Sequence, residues 1–330
     1  MVESVHHIAA CAIDQRREVL FALGDIDARV YLRSTAKPFI AAAAIEAGVR
    51  ERFGLEDKEI AVMAASHAGQ PFHVEAVRSI LEKIEMDESA LQCGSHPPYN
   101  AQAAHDLERA GITPSAVHNN CSGKHAGILA LCKAIGADPS TYLSLENPAQ
   151  QRILALCARA SDERVEDFPI GIDGCGIPVY ATSLRNAALS FMRLATLSGL
   201  NDNDAQALHV VRDAMTAYPE YVAGTGEFDA RLMQAANGAI ACKTGAEGVH
   251  GVAQIEAGAG LAVKVLDGAS RGRAPAVLTI LRRLGLLGEP ALTKLADLER
   301  PIVYNRAGRA VGEVRAAAPI PMPVPSASTR

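Results

Sequence analysis

Ser34 and Lys37 form the only Ser-x-x-Lys in the chain, and Pro38 follows directly, ahead of an alanine-rich stretch that ends near Gly48. Proline fits inside a helix only within the first turn, where backbone N–H groups have no intrahelical partner. The spacing therefore predicts Ser34 at or beside a helix N-terminus. A hydroxyl there faces the positive end of the helix dipole, which favours developing negative charge, and a lysine three residues on shares its helical face. A neutral, partly desolvated Lys37 could take the Ser34 proton, which is what a serine nucleophile requires. The same spacing also suits a capping serine followed by a solvated lysine. Lys243-Thr244-Gly245, at the end of a run that reads as a strand, adds a second lysine and a glycine that lets substrate approach a strand edge.

Ser-x-x-Lys early in a chain with Lys-Thr-Gly late in it is the motif order of acyl-serine β-lactamases and penicillin-binding proteins. The middle Ser-Asp-Asn element of those enzymes is missing. In its place stand three polar loops: Ser66-His67-Ala68-Gly69, His118-Asn119-Asn120-Cys121-Ser122-Gly123-Lys124-His125, and Gly171-Ile172-Asp173-Gly174-Cys175-Gly176. Together with Arg33-Ser34-Thr35-Ala36-Lys37-Pro38 and Cys93-Gly94-Ser95-His96-Pro97, these loops resemble the rhizobial-type L-asparaginase family, which is distinct from the asparaginases that use a threonine nucleophile. Asn-Cys-Ser-Gly-Lys-His with Asp-Gly-Cys is the most specific part of the likeness, which runs over most of the chain.

The resemblance implies a fold similar to serine β-lactamases and glutaminases, a homodimer, and hydrolysis of L-asparagine to L-aspartate and ammonia. It implies two Ser–Lys tandems, Ser34 with Lys37 and Ser66 with Lys243, without saying which serine is the nucleophile. Arg33, His67, Asn120 and Asp173 match substrate-binding positions, Asp173 being suited to a substrate α-ammonium. Cys121, Lys124 and Cys175 match a metal site, usually zinc. From spacing alone, Cys121 and Cys175 read as free thiols, because no Cys-x-x-Cys or His-x-x-x-His framework surrounds them; the resemblance reverses that order. His125, four residues after Cys121, is an alternative ligand on the same helical face. Two other functions fit subsets of these residues: an acyl-serine hydrolase of the β-lactamase type, from the two lysine motifs alone, and a non-catalytic zinc-binding protein, from the cysteines.

The elements that must hold these loops follow from periodicity. Val5 to Ile13, Glu18 to Leu23 and Arg29 to Arg33 read as strands, and helical periodicity dominates from Ser34 to about Tyr218. Pro71 and Asn147-Pro148 mark helix starts. Strand character returns at Ala239 to Lys243, Val249 to Ile255 and Leu261 to Leu266, before a helix from about Ala274 to Leu287. This order predicts an α+β fold in one domain: an antiparallel sheet lobe from about 1–33 and 239–318, and a helical lobe from about 34–238. The proline-alternating tail, 319–330, reads as extended and mobile.

Composition narrows the ligand class. The chain has 330 residues, a net charge of −5, and no Trp, with 49% hydrophobic but only 4% aromatic residues. The charge gives no reason to expect nucleic acid or an anionic membrane, and no apolar run is long enough for a membrane span. Few rings argue against stacking ligands and for closely packed helices rich in small aliphatics. Seven cysteines at irregular spacings do not form a disulfide framework; Cys11, Cys93, Cys132, Cys157 and Cys242 read as core. The acidic lead shows no signal peptide, which points to the cytoplasm.

Overall fold

Apolar runs from both chain ends meet in one sheet. A computed structural model describes residues 1–317, so the predicted mobile tail lies outside the described residues. The N-terminal strands are β1 (Ile8–Ile13), β2 (Val19–Leu23) and β3 (Arg29–Tyr31). Two short strands follow in mid-chain, β4 (Ile170–Ile172) and β5 (Pro178–Ser183). The late strands are β6 (Ile240–Thr244), β7 (Val249–Gln254) and β8 (Ala259–Val265), then a hairpin of β9 (Ile302–Tyr304) and β10 (Ala310–Glu313). The main sheet has the order β2-β1-β8-β7-β6 and is antiparallel throughout, with Cys11 opposite Ala262 and Lys243 opposite Gly251. The expected α+β class with an antiparallel sheet from both chain ends is therefore observed.

The helices that matter to the site are α1 (Lys37–Glu46), α2 (Asp57–Met63), α3 (Pro71–Lys83), α4 (Ser122–Ile135), α5 (Pro148–Ser161), α6 (Leu184–Thr196), α7 (Asp202–Ala217), α8 (Phe228–Ala236) and α9 (Arg273–Arg283). Helix α6 packs on β1, β7 and β8, and α9 packs on β7 and β8. All six residues of β7 are buried, so the strand shows no alternation of buried and solvated positions. Contact with α6 is close at Gly260, where a Cβ would lie 2.1 Å from Ala188 O and 2.2 Å from Met192 N. Helix α1 is buried from Lys37 through Ile45 and touches α4, α5 and α7. Its run of alanines leaves room for three neighbours, the packing solution expected of an aromatic-poor chain.

Two expectations need correction. The third N-terminal strand ends at Tyr31 and joins a separate sheet of order β3-β5-β4 instead of the main one. The long helical stretch is interrupted by β4 and β5; at three and six residues, they are too short for a period-2 pattern to outweigh the helical signal around them. Among the described residues, no helix is long and apolar enough to cross a membrane.

Candidate active site

The Ser34 segment is a single 3-10 turn, Arg33–Ala36, that runs directly into α1. Arg33 takes a positive φ of 51°, a conformation costly for a residue with a side chain and one that concentrates at functional sites. Leu32 O accepts both the N–H of Thr35, at 3.0 Å, and its hydroxyl, at 2.5 Å, fixing the turn from within. Beyond it, the end of β6 comes in through Gly245, where a Cβ would sit 3.0 Å from Leu32 O and 3.1 Å from Thr35 Cγ2. The glycine thus brings the Lys243 strand against the Ser34 turn. Ser34 itself is 9% exposed.

Lys37, the first residue of α1, is fully buried. Its ammonium donates to Ala65 O at 2.5 Å, to Ser66 Oγ at 2.9 Å and to Cys121 Sγ at 3.2 Å. Burial pulls its pKa below the ordinary lysine range, partly opposed by Cys121 and reinforced by Lys124. The hydroxyl bound to Lys37 is thus that of Ser66, 29 residues away in sequence. Lys243 donates to the carbonyl of Thr244 at 2.8 Å and lies 3.6 Å from Asp229 Oδ2; no hydrogen bond joins it to Ser66 among the described residues. Burial pulls Lys243 down to about 8, with Asp229 working in the opposite direction and Lys37 in the same one.

Cys121 caps the N-terminus of α4, and its N–H is bound by Asn119 Oδ1 at 2.8 Å. The thiols of Cys121 and Cys175 share a hydrogen bond, and Lys124 Nζ reaches Cys175 Sγ at 3.0 Å. The bond from Cys175, then Lys37 and Lys124, hold Cys121 far below the usual thiol range against burial. Cys175, the donor of that bond, is pushed up. Both thiols and Lys124 are buried. Two sulfurs and an amine that converge away from water make a donor set suited to a borderline-soft divalent ion such as zinc.

Asp173 Oδ1 accepts Arg33 Nε at 2.8 Å and the N–H of Gly174 at 2.9 Å. Burial pushes this carboxyl up, but Lys124, Arg33 and the Gly174 bond outweigh it and hold it below the ordinary range. Arg33, Lys124 and Asp173 together line a narrow cavity of about 10 Å³, no larger than one water requires. A much larger groove, about 790 Å³, lies among Arg29, Arg159, Glu163, Asn186 and Asp204 and contains none of these residues.

His67 is fully buried with both ring nitrogens engaged, Nε2 with Ser122 Oγ at 2.8 Å and Nδ1 accepting the Gly69 N–H at 3.2 Å. Its contacts are therefore to the loops that carry Ser66 and Cys121. Asn120 O accepts the His67 N–H at 3.1 Å, and His96 Nε2 accepts the Asn120 N–H at 3.0 Å. His125 Nδ1 pairs with Tyr142 Oη at 2.6 Å, and its Nε2 is buried without a partner. Among the described residues, His, Cys, Asp and Glu donors gather within 4.8 Å in one group only, Asp229, Cys242 and His250; His125 does not join Cys121 and Cys175.

Asp229 and His250 escape a reading by motif. His250 is the one titratable side chain in β7, and that is the one signal the sequence carries for it. The family described as L-asparaginase II matches residues 1–316. Among solved structures, the chain is similar to Mglu at 14% identity, over 85% of this chain and 67% of that one, with a TM-score of 0.39. It spans 59% to 67% of the Mglu chains' own length. A putative β-lactamase from Bacteroides dorei DSM 17855 matches at 16% identity over 84% of this chain and 94% of its own, with a TM-score of 0.41. A β-lactamase from Sphaerobacter thermophilus DSM 20745 matches at 13% over 89% and 92%, with a TM-score of 0.37. No curated protein matches the chain.

Proposed function

The chain belongs to the L-asparaginase II family, a family of amide hydrolases, and from that premise we propose that it hydrolyses the side-chain amide of L-asparagine to L-aspartate and ammonia at the Ser34, Lys37, Ser66 and Lys243 cluster. The observation that carries this reading is the fully buried Lys37, bonded to Ser66 Oγ at 2.9 Å and rooted in the helix that the Ser34 turn begins. A lysine weakened by burial is a competent proton acceptor near neutral pH.

In this mechanism Ser34 Oγ attacks the amide carbon while its proton passes to Lys37, directly or through the Ser66 hydroxyl. The tetrahedral oxyanion takes donors from the backbone around the Ser34 turn and the Gly245 strand end. Collapse breaks the C–N bond, and the departing nitrogen takes its proton from the Lys37–Ser66 pair or from Lys243. Water then cleaves the acyl ester by the reverse proton path. Asp173 and Arg33 hold the α-ammonium and α-carboxylate. Zinc fits Cys121, Lys124 and Cys175, provided Lys124 gives up its proton. When bound, it supplies a fixed positive charge beside the pocket.

The 2.9 Å bond to Lys37 also favours a second assignment, in which Ser66 is the nucleophile and Ser34 the relay. Hydroxylamine trapping and peptide mapping during asparagine turnover separate the two: the acyl group is expected on Ser34. Ammonia release that survives undiminished in both Ser34→Ala and Ser66→Ala would sink the cluster as the active site.

A further inference from the structure

Beneath the Lys243 strand lies a buried network that none of these roles uses. Asp229, on α8, is 2% exposed. Its Oδ2 accepts the Thr244 N–H at 2.7 Å, and its Oδ1 accepts the Thr244 hydroxyl at 2.7 Å and His250 Nε2 at 3.0 Å. Oδ2 also stands 3.6 Å from Lys243 Nζ, which is itself bonded to the carbonyl of Thr244. One carboxylate therefore grips both the last residue of β6 and the ammonium carried by the residue before it. Gly245, next in the chain, rests on Leu32 and Thr35 of the Ser34 turn.

These donors leave little room for another role. Cys242, Asp229 and His250 have donor atoms within 4.8 Å of one another, but both carboxylate oxygens are occupied and an ammonium shares the cluster. A dication would have to displace these partners and face Lys243.

We propose that Asp229 is the positioning residue for Lys243: it fixes the end of β6 against the Ser34 turn and supplies the countercharge that keeps Lys243 protonated, with His250 holding the carboxylate in register. The inference rests on the reading that Lys243 takes part in catalysis. The groups that face this pair come from every side: Lys37 from α1, Glu227 from the start of α8, Cys242 from β6, His250 from β7 and Arg273 from α9. Of these, Lys37 and Arg273 depress Lys243, and the Asp229 carboxylate is the main group that opposes burial. Its carboxyl stays ionised because His250, Lys243 and Thr244 overcome the burial that would raise it.

The test is the pH profile of kcat/KM for asparagine. Asp229→Asn keeps the shape and a hydrogen-bond acceptor but removes the charge, so the alkaline limb should move down by about one pH unit or more, the scale of a charge partner within a few ångströms. Thr244→Val removes one hydrogen bond from the carboxylate and leaves its charge to Lys243, so the limb should move up. A fold role alone would lower active protein without moving either limb. Unshifted limbs in the folded variants overturn the proposal, and if Asp229→Asn does not fold, Thr244→Val decides alone. Lys243→Met separates the two readings: full activity there means that Lys243 is not catalytic, whereas an inactive Lys243→Met with unshifted limbs means that only the role of Asp229 is wrong.

Discussion

Arg33 Nε and Asp173 Oδ1 meet at 2.8 Å, and a zwitterionic α-amino acid offers each of them a better partner, its carboxylate to the guanidinium and its ammonium to the carboxylate. Asp173→Asn leaves the shape and removes the charge. It should raise KM for asparagine about 10- to 100-fold, the worth of a hydrogen bond to a charged group, with a smaller effect on kcat. Steady-state kinetics check this, and an unchanged KM would remove Asp173 from the substrate site. At this scale, what the sequence made legible was local. Ser34, Lys37 and Pro38 lie within one turn, so spacing alone places them together. The Lys37 bond to Ser66 spans 29 residues and the Asp229 bonds to Thr244 span 15; tertiary packing decides such partners, and no helical or strand period encodes them.

Helices α2 and α4 bring the Ser66 and Cys121 loops together, and they do so through glycine. A Cβ on Gly123 would lie 2.2 Å from Val62 O, and one on Gly127 would lie 2.8 Å from Met63 Cε. The first obstacle is backbone and cannot turn aside. Gly123→Ala must push α4 away from α2, and overpacking of this kind costs about 1–3 kcal/mol. Cys121 and Lys124 flank the glycine, so the shift should reach them, lowering kcat along with stability and weakening zinc binding at the proposed site. Urea unfolding and metal analysis of the purified variant test this; an unchanged midpoint with full activity would mean that the close approach does not hold the site. Capped helices were legible as elements, since Pro71 and Asn147-Pro148 announce their own starts. The strands β4 and β5 were not, nor was the β9–β10 hairpin, whose residues are exposed throughout and carry no alternation of buried and solvated positions. A short strand without a buried face leaves no periodic mark.

The sheet from both chain ends and the helical insert bury several histidines without an acid to neutralise them, and this shapes the pH response of the whole molecule. His67 and His125 are held well below the ordinary imidazole range, first by burial. His73 is lowered to about 4, again by burial, against a smaller opposing effect of Glu220 O. Its hydrogen bonds agree: Nδ1 accepts the Gln70 N–H at 3.1 Å, leaving the proton on Nε2 to be donated to Glu220 O at 2.8 Å. An unfolded histidine takes its second proton near pH 6.5, so the unfolded chain binds more protons than the native one from there down to the native pKa. Stability is complete above about pH 6.5 and is lost as pH falls toward 4. For His73 alone, the loss reaches about 2 kcal/mol by pH 5, before most carboxylates titrate. The urea midpoint should therefore fall steeply between pH 7 and pH 5. His73→Gln keeps an acceptor for the Gln70 N–H but loses the ring packed against His67 and Phe72, so it should be less stable at pH 7, yet show a shallower fall with acid. If the wild-type midpoint is flat across that range, or the variant falls as steeply, the buried neutral histidines do not set the acid limit of this fold.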